Sequence, residues 1–234
     1  MKMKNKKEEQ IAAKKRHQKQ LKKKRRTEPD FERSIPVLIE KPTILIVCEG
    51  KNTEPSYFNR FKLSSATVKP IGEGYNTISL VNRAIQLANE KNYDQVWCVF
   101  DKDDFSENAF NNAISTAKAN NFGLAYSNQS FEYWLILHFN DHQGGRIHRK
   151  DYNDRINKLI KPFKVSYEGK KSKIIEEDFF ELLDGFDKKT GKKRVDLAIK
   201  RAERNYNHHD HSNPSMEEST TTVYELVKEL LKYV

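Results

Sequence analysis

The stretch "QVWCVFDKDDFSEN", residues 95–108, joins an apolar run to a cluster of acidic residues. Its apolar run 96–100 predicts a short buried strand, which three carboxylates follow at once: Asp101, Asp103 and Asp104. This cluster could be a solvated turn before a helix, with Asp104 as the helix cap. It could equally bind a divalent metal, because Mg²⁺ prefers carboxylate oxygens and turns their repulsion into attraction. If the extended chain continues, Asp101 and Asp103 face the same way, beyond the carboxyl end of a strand, where α/β proteins place functional crevices.

The composition predicts one soluble domain with an extension. The chain has 234 residues, of which 36% are hydrophobic and 32% are charged. No apolar run reaches the length of about 18 residues that a membrane span requires, and the basic start lacks the apolar stretch of a secretory signal. The two cysteines, Cys48 and Cys98, lie in strand-like runs and are expected to be buried free thiols. These features favour a cytoplasmic protein.

The positive charge of the chain is concentrated at its start. Residues 1–26 hold 13 Lys/Arg and 2 Asp/Glu, whereas the remainder of the chain is nearly balanced. A segment with so little to bury is either disordered or a frayed polar helix, and we treat 1–42 as a tail and linker. It either binds nucleic acid through phosphates or only keeps the protein soluble. The candidate nucleic-acid-binding residues are Lys14, Lys15, Arg16, Lys22, Lys23, Lys24, Arg25 and Arg26.

Strands alternate with helices after the tail, which predicts an α/β fold. The residues 43–140 are expected to form a small parallel sheet flanked by helices. The predicted strands are 43–50, 95–100 and 122–128, together with a short strand that leads into a glycine-containing turn within 67–76. Helices are predicted to begin near Thr53, Thr77 and Asp104. Residues 141–234 are predicted to be a helical extension packed on this core, with helices near 150–161, 173–184, 192–206 and 219–232.

Two of the predicted buried strands end in acidic residues. Glu49 follows the first strand, and Asp101 and Asp103 follow the strand at 95–100. If these strands are neighbours in a parallel sheet, the three carboxylates converge at one edge. No phosphate-binding "GxxxxGK[ST]" occurs, so the chain is not expected to be an ATPase itself.

Three ordered motifs resemble one known family. "ILIVCEGKNTEPSYF" (44–58), "VWCVFDKDDF" (96–105) and "AYSNQSFEYWLILHF" (125–139) are similar to the RloB-like proteins, relatives of the abortive-infection toprim proteins. "TTVYELVKELL" at 221–231 resembles the end of that family. The resemblance implies a toprim-like fold with Mg²⁺, or Mn²⁺, held by a glutamate and a D-x-D pair.

The resemblance assigns roles to the matching residues. Glu49 would be a metal ligand or general base, and Asp101 and Asp103 would coordinate metal. The family is encoded in restriction and phage-defence loci, often beside an ATPase, which implies a defence nuclease with a partner ATPase. The alternative is a regulatory subunit that binds metal and nucleic acid without cutting. Topoisomerase activity is disfavoured because the chain is too short for gate and tyrosine domains, and primase activity because no zinc-binding or helicase-interacting module is visible in the sequence. A homo-oligomer is a further expectation.

Three further residues are candidates whose roles the sequence leaves open. Glu132 lies among aromatic and aliphatic residues, where a carboxylate requires a partner; it is either a fourth metal ligand or a member of a buried ion pair. His138 is either an acid or hydrogen-bond donor or a histidine of the core. Glu54 matches the first family motif too, but an acid there also favours a helix N-terminus. The secondary candidates for the site are Glu54, Asp104 and His138.

Overall fold

The computed structural model describes residues 2–25, 41–70, 77–104, 106–143 and 145–234. The chain divides into two compact units, residues 1–40 and residues 41–234. In the first unit, α1 (Lys2–Arg25) is one helix, and its residues 11–22 are exposed on every face. A helix that is polar on all sides has no apolar stripe to bury. Of the two alternatives for the tail, a disordered segment or a polar helix, α1 agrees with the second. Most of the predicted linker lies outside the described residues.

The second unit contains one five-stranded sheet. Its strands are β1 (Ile44–Cys48), β2 (Ala66–Pro70), β3 (Gln95–Asp101), β4 (Gly123–Asn128) and β5 (Thr220–Thr221). The order is β2-β1-β3-β4-β5, and all pairs are parallel except β4 with β5. The strands β1 and β3 are therefore neighbours that run in the same direction, which is the condition for their acidic ends to meet.

Helices cover both faces of the sheet, as the sequence predicts. They are α2 (Thr53–Asn59), α3 (Thr77–Glu90), α4 (Glu107–Ala119), α5 (Glu132–Leu137), α6 (Tyr152–Ile160), α7 (Glu177–Asp184), α8 (Arg194–Tyr206) and α9 (Val223–Leu230). Short 3₁₀ turns occupy Arg149–Asp151, Lys161–Phe163 and Pro214–Met216. Within the described ranges, no helix has the length and apolar character needed to cross a membrane.

The fully buried β1 separates two hydrophobic cores. Ile44, Ile46 and Cys48 belong to one core, while Leu45 and Val47 belong to the other. Successive side chains of a strand point to opposite faces, so a strand that is apolar at every position must be covered on both sides. The two cysteines are buried free thiols, as predicted.

Several predicted boundaries differ from the observed ones. Residues 219–222 were expected in the last helix, but Thr220–Thr221 form β5, because the edge of β4 offers backbone partners to this segment. The predicted helix at 173–184 begins only at Glu177. The predicted cap Asp104 is wrong, since the side chain of Ser106 accepts the capping bond of α4 from the N–H of Ala109. Residues 71–76 of the predicted second strand and its turn lie outside the described residues.

Candidate active site

A cleft of about 830 Å³ lies beyond the carboxyl ends of β1 and β3. It brings together every acidic candidate from the sequence, and we refer to it as the acid cleft. Its acidic lining comprises Glu49, Glu54, Asp101, Asp103, Asp104 and Glu132. Its basic lining comprises Lys51, Arg149, Lys150, Lys170 and Lys173. Parallel pairing of β1 with β3 places the ends of the two strands side by side, which explains why residues some fifty positions apart share one cleft.

Hydrogen bonds to the backbone fix the first two carboxylates. The N–H of Asp101 donates to Oε2 of Glu49 over 3.2 Å, which joins the ends of the two strands. The N–H of Phe131, just before α5, donates to Oδ2 of Asp101 over 3.0 Å. Asp101 therefore ties β3 to the start of α5.

Asp103 reaches the cleft by a turn rather than by continuation of the strand. β3 ends at Asp101, and Asp103 has a φ of +42°, so the expected extended run through both residues is not found. The N–H of Asp103 donates to the carbonyl of Gln129 over 3.1 Å. Its Oδ2 lies 2.6 Å from Nη1 of Arg149, while its Oδ1 is buried without a hydrogen-bond partner.

Glu54 lies in the cleft as well as in the first turn of α2. Its side chain is only 6% exposed, and the backbone N–H groups of Gly50 and of Glu54 itself donate to it. A Cβ on Gly50 would lie 2.3 Å from Oε2 of Glu54. Glycine at this position therefore lets the carboxylate pack directly against the backbone that follows β1.

Glu132 is held by hydroxyl groups. The Tyr167 hydroxyl donates to Oε1 of Glu132 over 3.0 Å, and the Ser130 hydroxyl donates to Oε2. The Thr53 hydroxyl in turn donates to the oxygen of Tyr167 over 3.3 Å. Glu132 forms no ion pair within the described residues, so the predicted alternative of a buried ion pair is wrong.

Burial is the main cause of the raised carboxyl pKa values in the cleft. Burial raises the pKa of Glu49 and that of Glu54 from 4.5 to about 7 each. Burial also raises the pKa of Asp101 well above its usual value, and the charges of Asp103, Glu54 and Glu132 raise it further. Burial raises the pKa of Asp103 too, although Arg149 opposes this shift. A group of acids that resist losing their protons is one that a bound cation would stabilise.

The donors present suit Mg²⁺ or Mn²⁺. Both ions prefer carboxylate oxygens, and the partnerless Oδ1 of Asp103 offers one such oxygen inside the cleft. Among the described residues, no three His, Cys, Asp or Glu side chains are already gathered closely enough to hold a metal together. Metal binding would therefore require side chains to move. Asp103 is the first candidate for this movement, because its carboxylate would have to leave the ion pair with Arg149.

His138 lies outside the acid cleft. It is 1% exposed, its Nδ1–H donates to the carbonyl of Trp134 over 3.0 Å, and its ring packs edge-on against the Trp134 ring. Burial lowers the pKa of His138 to about 3, so the ring stays neutral. This arrangement agrees with the core alternative and leaves His138 without access to a substrate in the cleft.

The candidate residues of the tail belong to the other compact unit. Lys14, Lys15, Arg16 and Lys22 are exposed on α1, and Lys23, Lys24 and Arg25 continue the same helix. Arg26 lies outside the described residues. The predicted role of these residues in binding nucleic acid stays a prediction.

Sequence reasoning missed the basic side of the acid cleft and the hydroxyl of Tyr167. Arg149, Lys150, Lys170 and Lys173 lie in the segment 146–173, outside all of the acidic motifs. The available signal was the density of Lys and Arg in 146–173, which the larger excess of the tail obscured.

The family model described as RloB-like protein matches residues 44–230, which is well over half of the chain. No curated protein and no solved structure matches the chain. The matched region runs from the first residue of β1 to the last residue of α9 and includes every residue that lines the acid cleft. The chain belongs to the RloB-like family.

Proposed function

We propose that this protein is a Mg²⁺- or Mn²⁺-dependent nuclease of the toprim type that hydrolyses phosphodiester bonds in the acid cleft. The observation that carries the proposal is the composition of one cleft: six carboxylates and five Lys/Arg side chains line it together. Acids suit a divalent metal, and cations suit the negative phosphate that this metal would act on.

Glu49, Asp101 and Asp103 would hold the metal, with Glu132 as a further ligand. The bound ion would supply a Lewis acid for the phosphate and a water of lowered pKa. Asp101 is oriented for this role by the N–H of Phe131, and Glu132 by the Tyr167 and Ser130 hydroxyls. Asp103 would then be the ligand that has to move, away from Arg149, to complete the site.

As the alternative to its role as a metal ligand, Glu49 is the candidate general base of the reaction, provided that it does not bind the metal itself. Its pKa of about 7 lies near neutral pH, where a carboxylate both accepts a proton readily and is substantially ionised. Arg149 is the candidate group for the phosphate oxygens, since its guanidinium presents paired donors that match phosphate geometry. Its present partner is Oδ2 of Asp103.

The biological setting is proposed from the resemblance in sequence motifs. We propose that the nuclease acts in phage defence with a partner ATPase, because the motifs resemble a family that is encoded in restriction and phage-defence loci, often beside an ATPase. The cations of the cleft would contact phosphate groups, which DNA and RNA share, so cleavage assays with both nucleic acids decide between them.

Incubation of the purified full-length protein with single- and double-stranded DNA and RNA, in Mg²⁺, Mn²⁺ or chelator, tests the proposal. We expect metal-dependent cleavage that falls by about 100-fold or more in Glu49→Gln and Asp101→Asn. Glu181→Gln is the matched control, because Glu181 is an exposed carboxylate of α7 outside the cleft. Cleavage that persists undiminished in both cleft variants would contradict the proposal that the acid cleft is the active site.

A regulatory subunit would give a different result. Calorimetry would then show metal binding that depends on Glu49 and Asp101, while none of the four nucleic acids is cut. That outcome would reject the nuclease and support a protein that binds metal and nucleic acid without hydrolysis.

A further inference from the structure

The folded unit carries a strongly basic segment that is separate from the tail. Residues 146–173 contain ten Lys/Arg and three Asp/Glu, whereas residues 41–234 as a whole contain 29 and 27. The rest of this unit is therefore net acidic. An excess of positive charge in one segment of a domain whose total charge is nearly balanced is typical of a surface that binds a polyanion.

This segment lines two neighbouring depressions. Asn153 of α6 lines the acid cleft, and Asn157, one turn further along α6, lines a second depression of about 500 Å³. We call the second depression the lysine groove. Its lining is Asn157, Lys158, Lys161, Lys164, Val165 and Ser166. The three lysines are exposed, and none of them forms an ion pair with any described residue.

Hydrogen bonds hold the backbone of this segment in place. The side chain of Asn157 donates to the carbonyl of Tyr167 over 2.8 Å and accepts from the N–H of Tyr167 over 2.9 Å. Oδ1 of Asn153 accepts from the N–H of Gly169 over 2.9 Å. A Cβ on Gly169 would lie 2.7 Å from the Tyr167 ring, so the close approach depends on glycine. These hydrogen bonds restrict the backbone of the segment that carries the cations, which limits the conformational entropy lost on binding.

We infer that the lysine groove is a phosphate-binding surface that holds the backbone of a nucleic acid beside the bond to be cut in the acid cleft. Asn153 and Asn157 are four residues apart on a helix, which corresponds to about 6 Å, so the two depressions adjoin. A backbone bound in one can continue into the other. The groove is open and offers lysines without aromatic side chains to stack bases, so it would bind without regard to sequence. The part of this inference that concerns cleavage rests on the proposed function.

Two triple variants of the full chain test the inference. The groove variant is Lys158→Gln, Lys161→Gln and Lys164→Gln. The control variant is Lys188→Gln, Lys189→Gln and Lys192→Gln, which removes the same charge from exposed lysines outside both depressions. Binding of a labelled oligonucleotide is measured in chelator between 50 and 200 mM salt, a range over which phosphate contacts are strongly attenuated.

The groove variant should bind at least about 10-fold more weakly than wild type at 100 mM salt, and its log–log salt slope should fall by about 2 to 3. The control variant should stay near wild type. Equal losses in both triple variants would overturn the inference, because total charge rather than the groove would then explain binding. Inorganic tripolyphosphate that competes as well as the oligonucleotide would also overturn it, in favour of a small polyphosphate ligand.

Cleavage measurements separate this inference from the proposed function. Hydrolysis of bis(p-nitrophenyl) phosphate, which needs only the acid cleft, should be unchanged in the groove variant, while cleavage of the oligonucleotide should fall. If wild type binds through the groove but hydrolyses neither compound, the nuclease proposal fails and the binding surface stands. If wild type cleaves and the groove variant binds like wild type, the binding surface fails alone.

Discussion

Removal of the Glu49 charge should stabilise the metal-free protein at alkaline pH. Burial raises the pKa of Glu49 from 4.5 to about 7, so the folded protein binds this proton more tightly than the unfolded chain does. Between these two values, stability therefore falls as the pH rises. The full difference corresponds to about 3 kcal/mol above pH 7. Glu49→Gln keeps the shape and an acceptor for the N–H of Asp101, but it cannot ionise. The variant should gain up to about 3 kcal/mol at pH 8 and almost nothing near pH 4.5.

Urea unfolding in chelator, at pH 5 and pH 8, measures this difference directly. The free energy of unfolding is compared for wild type, Glu49→Gln and the exposed control Glu181→Gln, which should match wild type at both values. Added Mg²⁺ should raise the stability of wild type and leave Glu49→Gln nearly unchanged, because metal binds the folded state only when its ligands are present. A variant that is destabilised equally at both pH values would refute the reasoning, since the Glu49 charge would then support the fold.

Four further predictions concern other residues of the chain. Arg149→Gln should tighten Mg²⁺ binding by up to about fivefold in calorimetry without nucleic acid, because the pair of Arg149 with Asp103 is partly exposed and competes with metal; unchanged affinity would exclude that competition. Glu132→Gln should weaken Mg²⁺ affinity while the melting temperature in chelator stays the same or rises, whereas a purely structural role would lower it. From pH 7 to pH 4, the free energy of unfolding of wild type should fall by about 3 kcal/mol relative to that of His138→Leu. Burial lowers the pKa of His138 to about 3, so the unfolded chain binds this proton at a higher pH than the folded protein does. A difference in urea unfolding that does not change with pH would contradict this prediction. Deletion of residues 1–26 should reduce the log–log salt slope of nucleic-acid binding by about 0.7 to 0.9 for each lost contact and leave the fold intact, as circular dichroism would show.

The acidic half of the site was predictable because it follows local patterns. Continuous apolar runs before Glu49 and Asp101 predict strands that are covered on both faces, and parallel strands between helices end at one edge. Those two rules were enough to bring together acids from distant parts of the sequence. For Glu132, the alternative of a buried ion pair with a Lys or Arg side chain is wrong, because its partners among the described residues are neutral hydroxyls, and one of them comes from Tyr167.

The alternation of strands and helices, the buried cysteines, the basic tail and the acids at the strand ends could all be predicted, since each is encoded within a few consecutive residues. The cations that face those acids could not be predicted, because contacts between distant residues place them. Lys173 lines the acid cleft on the segment after α6, whose backbone accepts and donates hydrogen bonds with asparagines of α6 at Tyr167 and Gly169. Arg149 lines it on the 3₁₀ turn before α6, where it pairs with Asp103. The turn at Asp103, with its φ of +42°, was likewise set by contacts with Gln129 and Arg149 rather than by its neighbours in sequence. Such contacts join residues far apart in the chain, so no periodicity or spacing records them.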